Sequence, residues 1–189
     1  MTPIKINLSK SETPRLIVGL GNIGKAYQNT RHNAGFIFID AINSELDYKG
    51  VHPEYNEHNE YELWTYKSLN LALMKPKTLM NLSGKAVKEY YRYHSNYSSR
   101  NLIVAHDDLD IMLGDFKINE GKGPKMHNGL LSLERELASS SFIRVRLGIE
   151  NRKGLPISGL DYVLYKFSPE ELITFKETIA QILSTRCTF

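Results

Sequence analysis

Apolar residues in this chain of 189 residues occur in short blocks that follow two different periodicities. Blocks with the length and the β-branched or aromatic content of strands lie at 16–20, 61–66, 69–74, 101–105, 116–118 and 142–149. Segments with helical spacing lie between them, at 36–42, from Asn81 or Ser83 to Tyr91, at 127–137 and at 168–184. The alternation predicts a single α/β domain with three layers, α/β/α, around a twisted, mostly parallel mixed sheet.

Turn residues divide the chain without indicating a second domain. We predict an N-terminal arm over residues 1–14 and one domain over residues 15–189. The short polar link 68–70 predicts a hairpin between two strands, and residues 43–60 are expected to form a surface connection. Ser168 and Glu171, with Pro169 between them, form a capping box at the start of the last helix.

Composition narrows the class of protein only slightly. The 24 basic residues exceed the 21 acidic residues, so the net charge of +3 permits an anionic partner without indicating one. The single cysteine, Cys187, excludes a disulfide within the chain and a cysteine metal site. No apolar run reaches the length of a transmembrane helix, and we expect an intracellular protein.

The segment 15–40, RLIVGLGNIGKAYQNTRHNAGFIFID, combines a strand, a glycine-rich turn and a helix. Gly19, Gly21 and Gly24, with Asp40 further on, have the spacing of a dinucleotide-binding motif. However, that motif needs a helix that begins within the glycines, and the better N-caps here are Asn29 and Thr30.

The second interpretation of this segment centres on His32. If the helix begins at residues 30–32, its dipole would lower the pKa of His32, which suits a neutral general base. The alternative is that His32 only caps the helix or packs against it.

The strand 101–105 leads directly into Asp107, Asp108 and Asp110. Acidic residues after a buried strand can bind a hard cation, or one of them can orient a histidine. Asp107 comes first and is best placed to reach His32, whereas Asp108 and Asp110 are expected to face water or to cap the turn.

Three other sites each leave two interpretations open. Asn81 and Asn128 stand at predicted helix starts, where each amide can cap the helix or bind a ligand. The loop 119–129, rich in glycine and lysine, can cradle phosphate or be a solvated connection. Arg144 and Arg146 lie on one face of their strand, which suits phosphate contact or ordinary salt bridges.

Four motifs in this order and at this spacing resemble the bacterial-type peptidyl-tRNA hydrolase family: GLGNIGKAYQNTRHNAGF, KPKTLMNLSGKAV, VAHDDLD, and HNGLLSLE followed by FIRVRLGI. The resemblance covers nearly the whole chain from Arg15. It implies an enzyme that hydrolyses the ester between a peptide, or an N-blocked amino acid, and the 3′ end of tRNA. It also implies that the reaction needs no metal and no cofactor.

The resemblance assigns a role to each matching residue. His32 would be the general base, Asp107 would orient it, Asn22 would lie near His32 and the 3′ end, and Asn81 would hold the substrate carbonyl or the attacking water. The remaining contacts with tRNA or peptide would come from a larger group, namely Tyr27, Met80, Asn128, Lys117, Lys122, Lys125 and Arg146.

The chain departs from the family pattern at Ile23, where proline is usual, and at Asn119, which is often basic in the family. Lys122, Pro124, Lys125 and Met126 also interrupt a glycine run. A relative with this fold that binds tRNA or other RNA without hydrolysis is the alternative function, and the intact His32 and Asp107 argue against it. We further expect a monomer in the cytoplasm, or in mitochondria if the protein is organellar, with no membrane partner.

Overall fold

The computed structural model describes residue 6, residues 8–124 and residues 126–184, which form seven strands and five α-helices. The strands are β1 (Arg15–Gly19), β2 (Glu54–Glu57), β3 (Tyr61–Tyr66), β4 (Leu71–Pro76), β5 (Leu102–Met112), β6 (Phe116–Glu120) and β7 (Ile143–Glu150). The helices are α1 (Ala34–Tyr48), α2 (Ser83–Tyr93), α3 (Asn128–Leu137), α4 (Gly159–Tyr162) and α5 (Pro169–Ser184). No helix in these ranges is both long and apolar enough to cross a membrane.

The strands form one mixed sheet in the order β2-β3-β4-β1-β5-β7-β6. The four central strands are parallel, and β2, β3 and β6 add antiparallel pairings at the two edges. The predicted α/β fold with a mixed sheet is therefore confirmed. Strand β1 pairs with β4 on one side and with β5 on the other, so the order of the strands reverses at β1. The carboxyl ends of strands at such a point commonly bind ligands.

The two faces of the sheet bury different helices. Leu16 and Val18 of β1 point to the layer that contains α2 and α3, whereas Ile17 points to the layer that contains α1 and α5. This alternation follows from the two-residue period of a strand, and all three side chains are at most 1% exposed. Burial on both faces explains why β1 is a continuous apolar run.

The structure differs from the sequence predictions in three places. Strand β5 continues through Asp107 to Met112, because its two buried acidic side chains, Asp107 and Asp108, have partners described below, while Asp110 is exposed. Strand β2 is an exposed edge strand inside the segment predicted to be only a surface connection. Helix α1 begins at Ala34, and His32 lies before it in a short 3-10 turn, Arg31–Asn33.

The glycine run after β1 does not start a helix of the dinucleotide-binding kind. Only a short 3-10 turn, Lys25–Tyr27, follows it. Asp40 has the spacing for a ribose contact, but its Oδ1 accepts a hydrogen bond from Nζ of Lys75 at 2.5 Å. The structure therefore favours the second interpretation of this segment.

Gly19 and Gly35 allow β1 and α1 to approach each other closely. A Cβ on Gly35 would lie 2.3 Å from the carbonyl oxygen of Ala105 and from the amide nitrogen of Leu20. These neighbours are backbone atoms, so they cannot rotate away. The close approach sets the position of the turn that carries His32, which directly precedes α1.

We predict that Gly35→Ala lowers the free energy of unfolding by about 2 kcal/mol, because overpacking at the top of its usual range, about 3 kcal/mol, outweighs the gain of about 1 kcal/mol in helix propensity. Urea denaturation of the purified variant measures this change. Ser44→Ala, on the exposed face of the same helix, is the control and should change stability by less than about 0.5 kcal/mol. A Gly35→Ala variant as stable as the wild type would contradict the close approach.

Candidate active site

A buried carboxylate, Asp107, lies at the centre of the candidate site. Asp107 is 3% exposed on β5, and its Oδ1 lies 2.9 Å from Nδ1 of His32. His32 follows β1, which is the parallel neighbour of β5, so the two side chains meet at the same edge of the sheet. An ionised carboxylate only accepts hydrogen bonds, so Nδ1 of His32 carries a proton, and in the neutral ring Nε2 holds the lone pair.

His127 is a second histidine on the same carboxylate, and it was not among the predicted site residues. Its Nε2 lies 3.1 Å from Oδ1 of Asp107, and its ring centroid is 5.2 Å from that of His32. Its Nδ1 accepts the amide hydrogen of Leu130 and caps α3, so Nε2 must carry the proton that Asp107 accepts. The sequence signal is the HNG motif, in which Asn128 is a candidate for a cap or a ligand amide, whereas in the structure His127 is the cap.

The pKa values of Asp107 and His32 are shifted in opposite directions. Burial alone would raise the pKa of Asp107, but the charges and hydrogen bonds of His32 and His127 hold it well below the usual range. Burial alone would lower the pKa of His32, yet the charge and hydrogen bond of Asp107 raise it above 6.5. The expectation that a helix dipole lowers the pKa of His32 is wrong, because the carboxylate lies closer and has a full charge.

His106 lies behind this group and is fully buried. Its Nδ1 donates to the backbone carbonyl of Asp107 at 2.7 Å, and its ring lies 5.1 Å from that of His127 in an edge-on arrangement. Burial first, and the nearby His127 second, lower the pKa of His106 to about 3. His106 is therefore a neutral packing partner at physiological pH.

Asn33, which follows His32, holds the loop that carries Asn22. Its Oδ1 accepts the amide hydrogen of Asn22 at 2.8 Å, and its Nδ2 donates to the carbonyl of Asn22 at 3.0 Å. Both ends of the Asn33 amide are thus used within the protein, whereas Asn22 is partly exposed. The sequence analysis did not identify Asn33, because its partner is the backbone of a residue eleven positions away.

The other predicted site residues lie around this centre with different exposures. Met80 is buried, and its sulfur would lie 2.7 Å from a Cβ on Gly129, which places it against the start of α3 beside His127. Asn81 is exposed in the 3-10 turn Met80–Leu82, and Asn128 is exposed at the first residue of α3. Neither asparagine makes the cap hydrogen bond of its helix.

Among the predicted tRNA contacts, Lys117 and Arg146 are neighbours across the β6–β7 pair. Lys117, Lys122 and Tyr27 are exposed, whereas Lys125 lies outside the described residues. Arg146 is partly buried, and its Nε donates to Oδ2 of Asp108 at 2.6 Å. Asp108 does not face water, because it is 1% exposed and pairs with Arg146, but its Oδ1 accepts the amide hydrogen of Asp110 at 2.9 Å, which is the contact expected of a turn cap.

The other arginine of β7, Arg144, is also engaged within the protein. Its side chain is 4% exposed and meets Glu134 of α3 at 2.6 Å. For Arg144 the structure thus favours the salt-bridge interpretation over phosphate contact.

The facing atoms of His32, Asp107 and His127 lie within 4.8 Å of one another and are of types that can ligate a metal ion. The two histidine nitrogens lie at hydrogen-bond distances from one carboxylate oxygen, 2.9 and 3.1 Å. Protons on these nitrogens account for that geometry. A requirement for metal has to be tested by chelation.

Comparison with known proteins identifies the family. The family model described as peptidyl-tRNA hydrolase matches residues 16–188. The peptidyl-tRNA hydrolase of Geotalea daltonii is 45% identical over 167 residues, which cover 84% of this chain and 80% of that protein. That of Helicobacter pylori is 43% identical over 156 residues, covering 82% of this chain and 77% of that protein.

A solved structure agrees with these sequence matches. A crystal structure of peptidyl-tRNA hydrolase from Acinetobacter baumannii matches with a TM-score of 0.75 and 29% identity, covering 90% of this chain and 86% of that one. The resemblance of the four motifs is confirmed, and neither a dinucleotide-binding protein nor a non-hydrolytic RNA-binding relative is favoured. The chain belongs to the peptidyl-tRNA hydrolase family.

Proposed function

We propose that this member of the family hydrolyses the ester between the peptide and the 3′ end of tRNA, with His32 as the general base and Asp107 as the group that orients it. The observation that carries the proposal is the 2.9 Å contact between His32 Nδ1 and the buried carboxylate of Asp107. The contact leaves the lone pair on Nε2, and no hydrogen bond from the described residues engages that atom. A base needs such a free nitrogen.

In the proposed reaction, Nε2 of His32 takes a proton from a water molecule, whose oxygen attacks the ester carbonyl. The carbonyl oxygen becomes an oxyanion in the tetrahedral intermediate, and amide N–H groups can stabilise it. The intermediate expels the 3′ oxygen of the terminal ribose, which takes the proton from His32. The products are a peptide carboxylate and tRNA with a free 3′ hydroxyl.

The proposed roles of the surrounding side chains follow from the resemblance to the family. Asn81 holds the substrate carbonyl or the attacking water, and Asn22 contacts the 3′ end beside His32. Asn128 binds the peptide or the terminal nucleotide, Tyr27 lies beside the 3′ end, and Met80 lines the pocket. Because the amides of Asn81 and Asn128 are not used as helix caps, their oxygens, which a cap would use, are available to a ligand together with their N–H donors.

We further propose that tRNA phosphates bind along Lys117, Lys122, Lys125 and Arg146. Lys117 and Lys122 are exposed and have no carboxylate partner in the part of the chain that the structure describes. Arg146 forms an ion pair with Asp108, so the lysines supply most of the attraction to tRNA phosphate. The monomeric state and the location in the cytoplasm or mitochondrion stay predictions.

The first prediction for the proposed reaction concerns the general base, His32. His32→Ala should lower the rate of release of an N-acetylated aminoacyl group from tRNA by about 10²–10⁴-fold, because general base catalysis contributes about that much. The assay is run with a chelator present, and the wild type should keep its activity there. His52→Ala is the matched control, since that side chain is 70% exposed and should leave the rate unchanged. Retained activity in His32→Ala would reject the base, and loss of wild-type activity on chelation would reject metal independence.

The second prediction concerns pH. Protonated His32 cannot accept a proton, so kcat/KM should rise with pH along a limb whose midpoint lies above 6.5, because the pKa of His32 is raised. Asp107→Asn removes the charge that raises this pKa and leaves burial, which lowers it. The residual activity of the variant should therefore have its midpoint at lower pH. An identical midpoint in both proteins would show that Asp107 does not act on the titrating group.

The third prediction concerns tRNA binding. The double variant Lys117→Ala, Lys122→Ala should bind tRNA more weakly and reduce the slope of log Kd against log salt by about 2, or about 1 for each lost phosphate contact. Lys49→Ala removes an exposed lysine at the far end of α1 and should leave the slope unchanged. Filter binding across a salt series gives both slopes, and equal slopes for the double variant and the wild type would remove these lysines from the interface.

A further inference from the structure

The residue before His32 is a buried cation whose two terminal nitrogens, Nη1 and Nη2, donate to groups within the protein. Arg31 is 4% exposed, and its Nη2 lies 2.6 Å from both carboxylate oxygens of Glu171. Its Nη1 donates to the carbonyl of Lys166 at 2.8 Å and approaches that of Tyr165 at 3.3 Å. A guanidinium held in this way cannot also bind a tRNA phosphate.

Aromatic rings cover the same guanidinium. Its central carbon lies 4.1 Å from the ring centroid of Tyr162 and 5.1 Å from that of Phe167. Planar stacking and donation from two separate nitrogens, Nη2 to Glu171 and Nη1 to backbone carbonyls, are properties of arginine that lysine does not reproduce. The site is therefore built for a guanidinium in one orientation.

The backbone on either side of Arg31 is paired with the segment 163–167, which leads into α5. The amide of His32 donates to the carbonyl of Val163 at 2.7 Å, and the amide of Arg31 donates to that of Tyr165 at 3.1 Å. The amide of Phe167 donates back to Asn29 at 2.9 Å. The backbone position of His32 thus depends on where this C-terminal segment lies.

Glu171 connects that segment to the rest of the molecule. Its Oε2 accepts the amide hydrogen of Ser168 at 2.8 Å and caps α5, while its Oε1 accepts from Nδ2 of Asn151, just after β7, at 2.9 Å. One carboxylate therefore joins the end of β7, the start of α5 and the turn that carries His32.

We propose that the Arg31–Glu171 pair is a positioning unit, which holds His32 from behind at hydrogen-bond distance from Asp107 without touching substrate. The inference rests on the proposed role of His32 as the base. Because a misplacement of about 1 Å in a catalytic group can cost about 100-fold in rate, loosening this pair should impair the chemical step more than binding.

Two variants test the pair without removing its bulk. Arg31→Lys keeps the positive charge but loses the planar guanidinium with its two terminal nitrogens. Glu171→Gln removes the negative charge but keeps a side-chain oxygen that can cap α5. The control is Ile179→Val, a core change on the same helix that leaves the pair intact. We expect both pair variants to lower kcat by about 10–100-fold with KM within about two-fold, while the control lowers only the Tm.

The pH profile of kcat/KM distinguishes a loss of His32 positioning from a direct effect of the Glu171 charge on His32. Asp107 and His127 are the titratable groups that contact His32. If the contact with Asp107 loosens, the acid limb of kcat/KM should move to lower pH in both variants. A purely electrostatic effect would move the limb only in Glu171→Gln, since Arg31→Lys keeps its charge.

The outcomes also separate this inference from the proposed function. If the wild type releases the aminoacyl group, and both pair variants show the kcat and acid limb of the wild type with only a lower Tm, the pair is merely structural and the inference is overturned. A shift confined to Glu171→Gln overturns it as well. If the wild type releases nothing, or His32→Ala keeps its activity, the proposed function fails first and the inference fails with it.

Discussion

The site depends on one buried negative charge. Placing a carboxylate on a central strand is costly unless hydrogen bonds and opposite charges compensate. Asp107 meets this requirement with two histidines on the same oxygen, His32 from the loop after β1 and His127 from the start of α3. Three separate segments must therefore reach their final positions before the charge is compensated, which couples the formation of the site to the formation of the fold.

The same interaction decides the chemical state of the histidines. Because the carboxylate accepts from both, Nδ1 of His32 and Nε2 of His127 must be protonated, and the remaining nitrogen of each ring holds a lone pair. For His127 that lone pair caps α3. For His32 it is left for proton transfer. Identical side chains on one carboxylate thus serve structure in one case and, in our proposal, catalysis in the other.

The edge of the sheet formed by β7 and β6 has two kinds of basic side chain, arginines paired within the protein and lysines exposed to solvent. Asp108 and Glu134 engage Arg146 and Arg144 in close ion pairs within the protein. The exposed lysines on the neighbouring strand and loop keep their charge for solvent or for an anionic partner. A modest net charge can therefore coexist with a locally basic surface, and formal charge counts say little about where attraction to tRNA phosphate arises.

The sequence by itself determined six of the seven strands and the four longer helices in their order, the mixed sheet, the capping box of α5 and the family. It did so because apolar periodicity and turn residues are local signals, and because the four motifs keep their spacing along the chain. The proximity of His32 and Asp107 could also be anticipated, since both follow apolar strand segments, 16–20 and 101–105, which belong to the parallel neighbours β1 and β5.

Only the tertiary structure decided which partners these residues have. The role of His127, the clamp of Asn33 on Asn22, the burial of Asp108 and the Arg31–Glu171 pair all join residues that lie apart in the chain. The direction of the His32 pKa shift was also decided only by the tertiary structure. A helix dipole read from the sequence predicted a lower value, but a full charge 2.9 Å away outweighs a helix terminus, and that distance exists only in the folded chain.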